Sequence, residues 1–377
     1  MENDLIVILA TIAVLPYIFL VALFYTGWNR GEQRKLKLRS QIPFLSVVVA
    51  FRNEQEKLPR LLACLSGLHY PGGNYEILLS DDFSTDSSKE IISEFIRDKS
   101  HFKLILPSEQ DQKGKKGALN RAILQAKGEI IITTDADCSM GFHWLISMGK
   151  VFTDEVNFVI GPVVIKAEKG GLFKRMQALE FHSLSASTGG SAGWGMPVLC
   201  NGANLAFRKK GWEEVVGQVR GKDSPSGDDV FLLHAFKKRY PGSIVYLHDQ
   251  EAIVQTGASK TLMQFLRQRI RWAGKSGKFS DPFTLISGCV VAMMNLLIIV
   301  LLVTSIFWPG GLVFLAIVWG IKSLADFGLL ARVGTFFGDR KLLWLFPLVA
   351  LVYPIYVSVT LVLAAVLPMK SGNHFRE

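Results

Sequence analysis

Long apolar segments lie at both ends of the chain. The first, residues 5–28, carries no charge over the ~20 residues that a helix needs to cross a bilayer. Because Glu2 and Asp4 precede it and basic residues follow it, the pattern predicts an uncleaved membrane anchor rather than a secretory signal peptide. Three further apolar segments predict three C-terminal membrane helices: 283–308, 312–330 and 343–367.

The segment 312–330 is interrupted by two charged residues. Lys322 and Asp326 are four positions apart and therefore share one face of a helix. Charged groups inside a membrane helix face other helices or an aqueous surface rather than lipid. We therefore expect this helix to pack against protein on that face, or to lie at an interface.

Basic residues next to the apolar segments indicate the orientation. They follow the first segment and separate the last two: Arg30, Arg34, Lys35, Lys37, Arg39, Arg332, Arg340 and Lys341. Such residues favour the cytoplasmic side. We expect an integral protein of the bacterial inner membrane with both termini outside. The predicted organisation is an anchor at 1–29, a cytoplasmic domain at 30–281 and a membrane region at 282–377.

Strand and helix patterns alternate through the central segment. Residues 45–51, LSVVVAF, lack alternation, which is typical of a strand buried on both faces. Leucines on helical spacing follow at 53–68, and a strand pattern returns at 75–82. The succession continues with helices at 87–98 and 116–128 and strands at 102–107 and 129–134. This order predicts an α/β domain with a mostly parallel sheet.

Composition supports a membrane protein of a reducing compartment. The 377 residues are 49% hydrophobic, with a mean hydropathy of +0.29 and a net charge of +10. Anionic lipid head groups account for the basic excess, so we expect membrane lipids and no nucleic acid as partners. The four cysteines have no metal-ligand or disulfide spacing.

Acidic residues follow three of the predicted strands. Glu54 follows the first strand, Asp81 and Asp82 end the second, and Asp135 and Asp137 end the strand at 129–134. Parallel strands of an open sheet place such ends along one ligand crevice. Because neither a dinucleotide fingerprint nor a P-loop is present, the pattern favours a nucleotide held through a divalent metal, Mg²⁺ or Mn²⁺.

Seven short motifs, in order, resemble those of the family 2 glycosyltransferases with the GT-A fold. Membrane-anchored members include ceramide glucosyltransferase and the poly-N-acetylglucosamine, hyaluronan and cellulose synthases. The motifs are VVAFRNE (48–54), LLSDDFSTDSS (78–88), GKKGALN (114–120), DAD (135–137), CNGANLAFRK (200–209), GDDVFL (227–232) and QRIRW (268–272). The resemblance covers about 44 to 280 and implies a Rossmann-like mixed or parallel sheet beside the transmembrane helices.

The resemblance implies how a nucleotide-sugar donor would be bound. Glu54 and Asp81 or Asp82 would hold the uracil and ribose, and Lys115 or Lys116 would approach the diphosphate. The donor and the metal would be held by Asp135 and Asp137, of which Asp137 is favoured as the direct ligand.

The resemblance also implies the catalytic groups. Asp229 would be the base that deprotonates the acceptor hydroxyl, with Asp228 in the place of the Glu of the family motif, and Arg271 would neutralise the leaving diphosphate. The other predicted substrate contacts of the QRIRW motif are Gln268, Arg269 and Trp272. A single displacement by this route inverts the anomeric centre.

Several alternatives remain open. Three C-terminal spans favour transfer of one sugar to a lipid or lipid-linked acceptor, with processive polysaccharide synthesis as the second enzyme hypothesis. A scaffold that binds nucleotide sugars without turnover is the hypothesis of a different class.

Three segments have a further structural interpretation. The segment around QRIRW can also be a basic amphipathic helix on the membrane surface. Residues 183–195, rich in Gly and Ser, predict a mobile loop, and Phe83 occupies a position where many family members have Gly.

Overall fold

The structure, a computed structural model, describes residues 2–34, 41–167, 170–218, 228–307 and 310–366. The chain forms two compact units. One, here called the α/β unit, comprises Gly31–Lys166 and Ala192–Gly257. The other, here called the helical unit, comprises Met1–Arg30, Ala167–Ser191 and Ala258–Glu377. The predicted boundaries were at 29 and 281, whereas the helical unit also includes Ala167–Ser191, and its C-terminal part begins at Ala258.

Ten strands form two sheets in the described part of the α/β unit. In chain order they are β1 (Leu45–Phe51), β2 (Tyr75–Asp81), β3 (Phe102–Ile105), β4 (Ile130–Asp135), β5 (Ser139–Met140), β6 (Phe158–Ile160), β7 (Val163–Ile165), β8 (Leu205–Arg208), β9 (Ile244–Tyr246) and β10 (Val254–Thr256). The large sheet has the order β3-β2-β1-β4-β8-β6-β9, and the small one has the order β5-β10-β7. Strands β3, β2, β1 and β4 are parallel, and β8 is antiparallel to both of its neighbours. The predicted mixed α/β sheet is confirmed.

Helices of the α/β unit cover this sheet. They are α2 (Leu58–Ser66), α3 (Ser88–Phe95), α4 (Lys115–Gln125), α5 (Trp144–Gly149), α7 (Lys209–Val215) and α8 (Asp228–Arg239). Helix α2 buries the four leucines on helical spacing, Leu58, Leu61, Leu62 and Leu65. Every residue of β1 is buried, as expected for a central strand with helices on both faces.

Gly128 allows α4 to connect to β4 past the backbone of β1. Its N–H donates to Ser46 Oγ at 2.8 Å. A Cβ atom at this position would lie 2.5 Å from Ser46 N, which no side chain could accommodate. The glycine is therefore needed for close backbone approach rather than for an unusual backbone dihedral angle.

The helical unit contains six helices in its described part. They are α1 (Glu2–Gln33), α6 (Leu172–Gly193), α9 (Leu262–Ser276), α10 (Pro282–Thr304), α11 (Gly311–Phe337) and α12 (Phe346–Val366), with the last residues of α1 and α6 in the α/β unit. Four segments are long and apolar enough to span a membrane: Ile12–Gln33, Pro282–Thr304, Gly311–Phe337 and Arg340–Val366. They correspond to the four segments predicted from hydropathy.

Helix α6 corrects one prediction. Residues 183–195 were expected to form a mobile loop, but the helix continues to Gly193. Hydroxyl groups along it donate back to carbonyls one turn earlier, as Ser187 Oγ does to Ser183 O at 2.9 Å. Gly190 packs against α1 so closely that a Cβ atom would lie 2.4 Å from Phe24 O. The small residues thus serve helix packing, which a local reading of Gly and Ser content cannot detect.

Lys322 and Asp326 face other helices, as their spacing suggested. Lys322 Nζ lies 2.6 Å from Asp326 Oδ2, and Tyr17 Oη of α1 donates to Asp326 Oδ1 at 2.7 Å. The ammonium group also lies 5.3 Å from the ring centres of Tyr17 and Tyr353. Because the Lys322 side chain is only 3% exposed, its charge depends on this carboxylate.

We predict that Asp326→Asn destabilises the helical unit, because it leaves the buried Lys322 charge without a counter-charge. The expected loss is on the order of 3 kcal/mol. Thermal unfolding in detergent micelles measures it. Leu324→Ala, at a 75% exposed position of the same helix, is the control and should change little. An Asp326→Asn variant as stable as this control would contradict the role of the ion pair.

Candidate active site

Parallel pairing aligns the acidic ends of β2 and β4 on either side of β1. Phe51 at the end of β1 pairs with Asp81, and Ala50 pairs with Asp135. The three strands therefore end at the same edge of the sheet. The backbone positions of Asp81 and Asp135 lie two strands apart at this edge, a separation of roughly 10 Å.

Asp81 is enclosed at the turn that follows β2. Its side chain is 1% exposed, and its two carboxylate oxygens accept the N–H of Ser84 at 3.0 and 3.2 Å. Arg121 of α4 donates to the backbone carbonyl of Asp81 and forms an ion pair with Asp111 at 3.3 Å. The carboxylate thus shapes the turn itself.

Asp82 connects β2 with the start of α4. Its Oδ1 accepts the N–H of Gly114 at 2.6 Å, and its Oδ2 lies 4.0 Å from Arg52 Nη1. The residue is 2% exposed, and Oδ2 makes no hydrogen bond within the described ranges. Gly114 has φ +101°, a conformation that favours glycine, and it immediately precedes Lys115. Asp82 therefore fixes the position from which Lys115 extends.

The turn after β1 is bonded to the turn after β2. Asn53, at φ +53°, donates its N–H to Ser84 Oγ at 3.1 Å and accepts the N–H of Thr85 on its Oδ1 at 2.8 Å. Glu54 donates its N–H to Ser88 Oγ at 2.9 Å. Phe83 in the second turn has φ +57°, the region where glycine is easiest to accommodate, which agrees with the departure noted in the sequence.

Lys57 links Glu54 electrostatically to Asp137. Its Nζ lies 2.8 Å from Glu54 Oε2. Burial lowers the pKa of Lys57, but the hydrogen bond and charge of Glu54, together with the charge of Asp137, outweigh that effect and leave the pKa raised. Glu54 and Asp137, which follow β1 and β4, therefore both attract the Lys57 ammonium. The sequence analysis did not include Lys57.

Lys115 brings Asp135 and Asp229 together. Its Nζ forms an ion pair with Asp135 Oδ1. Burial lowers the pKa of Lys115, but the attraction of Asp135 and then of Asp229 outweighs it, so the pKa is raised and the ammonium stays charged. Gly202 lies beside both groups, because a Cβ atom there would be 3.5 Å from Asp229 Oδ2 and 3.8 Å from Lys115 Nζ.

Asp229, in the first turn of α8, has a defined orientation. Its Oδ2 accepts the N–H of Gly202 at 3.0 Å, and its Oδ1 accepts the N–H of Val230 at 2.9 Å. Thr133 of β4 donates to the carbonyl of Gly202 at 3.0 Å. Each carboxylate oxygen keeps a further lone pair for another donor.

The side chains around Asp137 are suitable ligands for a hard cation that also binds substrate oxygens. Within the described ranges no cluster of three or more His, Cys, Asp or Glu side chains could hold a metal by itself. Burial, followed by the charges of Asp135 and Asp137, raises the pKa of the Cys138 thiol, so the thiol stays protonated. One or two carboxylates with substrate oxygens are the usual ligands of Mg²⁺, and Asp135 and Asp137 can supply them.

The remaining predicted residues are placed as follows. Lys116 follows Lys115 in the first turn of α4, and Asp228 begins α8, although its side chain lies outside the described residues. The QRIRW residues lie on α9 in the helical unit: Gln268, Arg269, Arg271 and Trp272. There the guanidinium of Arg269 pairs with the carboxylate of Glu180, while Arg271 is exposed. The role of Arg269 as a substrate contact stays a prediction.

Sequence reasoning missed the groups that balance or orient the predicted site residues. They are Arg52, Lys57, Arg121, Gly202 and Glu180. Lys57 had a local signal, because a base three residues after Glu54 can form an i,i+3 pair. Glu180 has no local signal, since its partner Arg269 is 89 residues away. Gly202 lies in the CNGANLAFRK motif, but no local pattern links it to Asp229, which is 27 residues away.

Comparisons with known proteins agree with this architecture. Residues 46–214 match the family described as Glycosyl transferase family 2. The chain is 34% identical over 126 residues to a beta-monoglucosyldiacylglycerol synthase of Nostoc sp. (strain PCC 7120). This match covers 33% of this chain and 27% of that protein. It is 25% identical over 259 residues to an N-acetylglucosaminyltransferase of Rhizobium meliloti, covering 64% of this chain and 57% of that protein.

A solved structure shares the fold over most of the chain. The mannosyltransferase PcManGT from Pyrobaculum calidifontis, in complex with GDP-Man and Mn²⁺, matches with a TM-score of 0.60 and 17% identity. The match covers 92% of this chain and 99% of that one. The chain spans about a quarter of the length of the cyanobacterial synthase it matches. The resemblance inferred from the motifs is confirmed: residues 46–214 match the family 2 glycosyltransferases, and the chain shares the fold of the solved mannosyltransferase.

Proposed function

We propose that this chain moves a sugar from a nucleotide-sugar donor to a hydroxyl group of a lipid or lipid-linked acceptor, at the cytoplasmic face of the membrane and with inversion. The observation that carries the proposal is the grouping of Lys115, Asp135 and Asp229 in a family 2 glycosyltransferase domain. A cation for a diphosphate and a carboxylate for a hydroxyl proton are the two groups that sugar transfer requires.

On the donor side, Glu54 and Asp81 bind the nucleoside and Lys115 or Lys116 binds the diphosphate. Asp82 supports this role through its hydrogen bond to Gly114, which sets the start of α4. Lysine is a flexible point charge, and the raised pKa of Lys115 keeps it charged at neutral pH. A bound diphosphate would compete with Asp135 for this ammonium.

Asp137 and Asp135 would hold a divalent cation, Mg²⁺ or Mn²⁺. Such a cation, when bound, supplies positive charge for the phosphate oxygens of the donor. Two carboxylates are suitable ligands for either cation, and the solved mannosyltransferase of the same fold is in complex with Mn²⁺.

Asp229 acts as the general base. Its carboxylate takes the proton of the acceptor hydroxyl while the acceptor oxygen bonds to the anomeric carbon and the bond to the diphosphate oxygen breaks. The products are the glycosylated acceptor and a nucleoside diphosphate. The N–H groups of Gly202 and Val230 orient the carboxylate without occupying all of its lone pairs.

On the acceptor side, the QRIRW motif supplies the remaining roles. Arg271 neutralises the leaving diphosphate, and Trp272 and Gln268 contact the acceptor. Asp228, of the GDDVFL motif, assists beside the base. For Arg269 the pairing with Glu180 favours a positioning role over direct substrate contact. These assignments rest on the motif and on the chemistry that each side chain can perform.

Two findings favour a lipid acceptor. Among the residues that the structure describes, four helices are long and apolar enough to span a membrane. One relative is named a beta-monoglucosyldiacylglycerol synthase, and its acceptor is therefore a lipid alcohol. A single glycolipid product, rather than a ladder of longer products, is expected for a non-processive enzyme.

We predict metal-dependent release of a nucleoside diphosphate by the purified full chain. The assay combines UDP-glucose, UDP-N-acetylglucosamine or GDP-mannose with dioleoylglycerol or a lipid extract, in the presence of Mg²⁺ or Mn²⁺. EDTA should abolish release, and Asp137→Asn should raise the metal concentration needed, because one anionic ligand is lost. Donor binding without release in any combination would favour the binding-only scaffold.

Asp229→Asn should lower turnover by about 10²-fold or more while donor affinity changes little, because the amide cannot accept the acceptor proton. Steady-state rates and titration with UDP measure the two effects separately. Asp98→Asn, an exposed acid after α3, is the matched control and should behave as the wild type. An active Asp229→Asn enzyme would exclude Asp229 as the base.

Asp82→Ala should weaken the binding of UDP or GDP by about tenfold, since it removes the charged acceptor of the Gly114 N–H and releases the start of α4. Amide hydrogen exchange at residues 113–118 should rise in parallel. Glu109→Ala, at an exposed acid in the preceding loop, serves as the control. If exchange in that segment stayed at the wild-type rate, Asp82 would not hold the loop.

A further inference from the structure

Helix α6 carries a buried carboxylate that the functional motifs do not include. Glu180 is 7% exposed and belongs to the helical unit together with α9 and α12. Two hydrogen bonds join it to Arg269 of α9: Nε donates to Oε1 at 3.0 Å, and Nη2 donates to Oε2. This bidentate arrangement is the geometry that best fixes a guanidinium plane.

The fixed guanidinium of Arg269 packs against two aromatic rings of its own helix. It lies 4.3 Å from the ring centre of Trp272 and 4.7 Å from that of Phe265. Arg269 is itself 4% exposed. Because the guanidinium sits between carboxylate and rings, the position of the Trp272 indole depends on Glu180 through Arg269.

The same carboxylate also contacts a candidate membrane helix. Tyr356 Oη of α12 donates to Glu180 Oε1 at 3.3 Å, and the Tyr356 ring lies 5.4 Å from that of Phe265. The neighbouring residue on α6, Leu179, packs in an apolar cluster with Leu330 of α11 and Phe346 of α12. Glu180 therefore lies where α6, α9 and α12 meet.

Gln177, one turn before Glu180 on α6, holds the entry to α9. Its Nε2 donates to Ser259 O at 3.1 Å, and its Oε1 accepts the N–H of Ser259 at 2.9 Å. Residues three apart on a helix share a face, so α6 binds the α9 segment at two points, before its first turn and at Arg269. A helix held in this way has a defined rotation about its axis.

We infer that Glu180 is a positioning residue for acceptor binding: it holds Arg269 and, through it, the Trp272 ring, and so sets the acceptor contacts of α9. The inference rests on the proposed function of Trp272 as an acceptor contact. It adds to the site a residue that lies outside the motifs. It also explains why position 269 is an arginine, since a lysine could not form both hydrogen bonds to the Glu180 carboxylate.

The test compares Glu180→Gln with a matched control in the full chain. Glu214→Gln is that control, because Glu214 is also held by an arginine and a tyrosine, Arg239 at 2.8 Å and Tyr240 at 2.7 Å, but lies in the α/β unit. The substrates are UDP-glucose and dioleoylglycerol in mixed micelles, or the pair that turns over in the donor panel. Amide hydrogen exchange of residues 268–276 is measured on the same samples.

Glu180→Gln should raise exchange in residues 268–276 and raise the KM for the lipid acceptor by about tenfold, with the KM for the sugar nucleotide unchanged. Arg269→Lys should produce a smaller change in the same direction, and Glu214→Gln should change neither quantity. Unchanged exchange in α9 would overturn the inference. So would a fall in kcat alone with both KM values kept, since that pattern indicates only loss of folded enzyme.

Amide hydrogen exchange of α9 can be measured whether or not the enzyme turns over its substrates. A wild-type chain without transferase activity would count against the proposed function, whereas the exchange of α9 in Glu180→Gln would still decide whether Glu180 holds Arg269 in place.

Discussion

Parallel pairing of β1 with β2 and β4 is the constraint on which the candidate site depends. It brings carboxylates from separate parts of the chain to one edge of a buried sheet, where their mutual repulsion has to be balanced. Lys57 and Lys115 supply the balance, each within reach of acids from two different elements.

The helical unit handles charge differently, because its ion pairs lie in apolar surroundings. Lys322, Arg269 and Glu180 are almost fully buried and Asp326 is 20% exposed, and in each pair a tyrosine hydroxyl donates to the carboxylate. A buried charge is costly to leave unpaired, so such pairs select one arrangement of helices over competing ones. By contrast, Lys115 and Asp135 remain partly exposed, as a site that has to receive a ligand requires.

Hydrogen bonds between loops give the site its rigidity. The turns after β1 and β2 are joined through Asn53 and Ser84, and Asp82 joins β2 to the start of α4. Thr133 and Asp229 both bind the backbone of Gly202, which places the start of α8 beside the end of β4. Groups that bind phosphate or move a proton are most effective when such contacts hold them before the substrate arrives.

The sequence by itself determined the succession of strands and helices, the four apolar helices and the acids at the strand ends. These features depend on local periodicity, hydropathy and turn chemistry, so they can be read from neighbouring residues. The motifs also predicted the resemblance to the family 2 glycosyltransferases, which residues 46–214 match. Prediction failed for residues 183–195, because their Gly and Ser content is compatible with a loop and only packing against α1 makes them helical.

Only the tertiary structure decided which groups act together. The hydrogen bond from Gly114 to Asp82, the proximity of Lys115 to Asp229 and the pairing of Arg269 with Glu180 each join residues far apart in the chain. The antiparallel position of β8 between β4 and β6 likewise has no local signal. Long-range pairing depends on the free energy of the whole packed unit, which a short window of sequence does not contain.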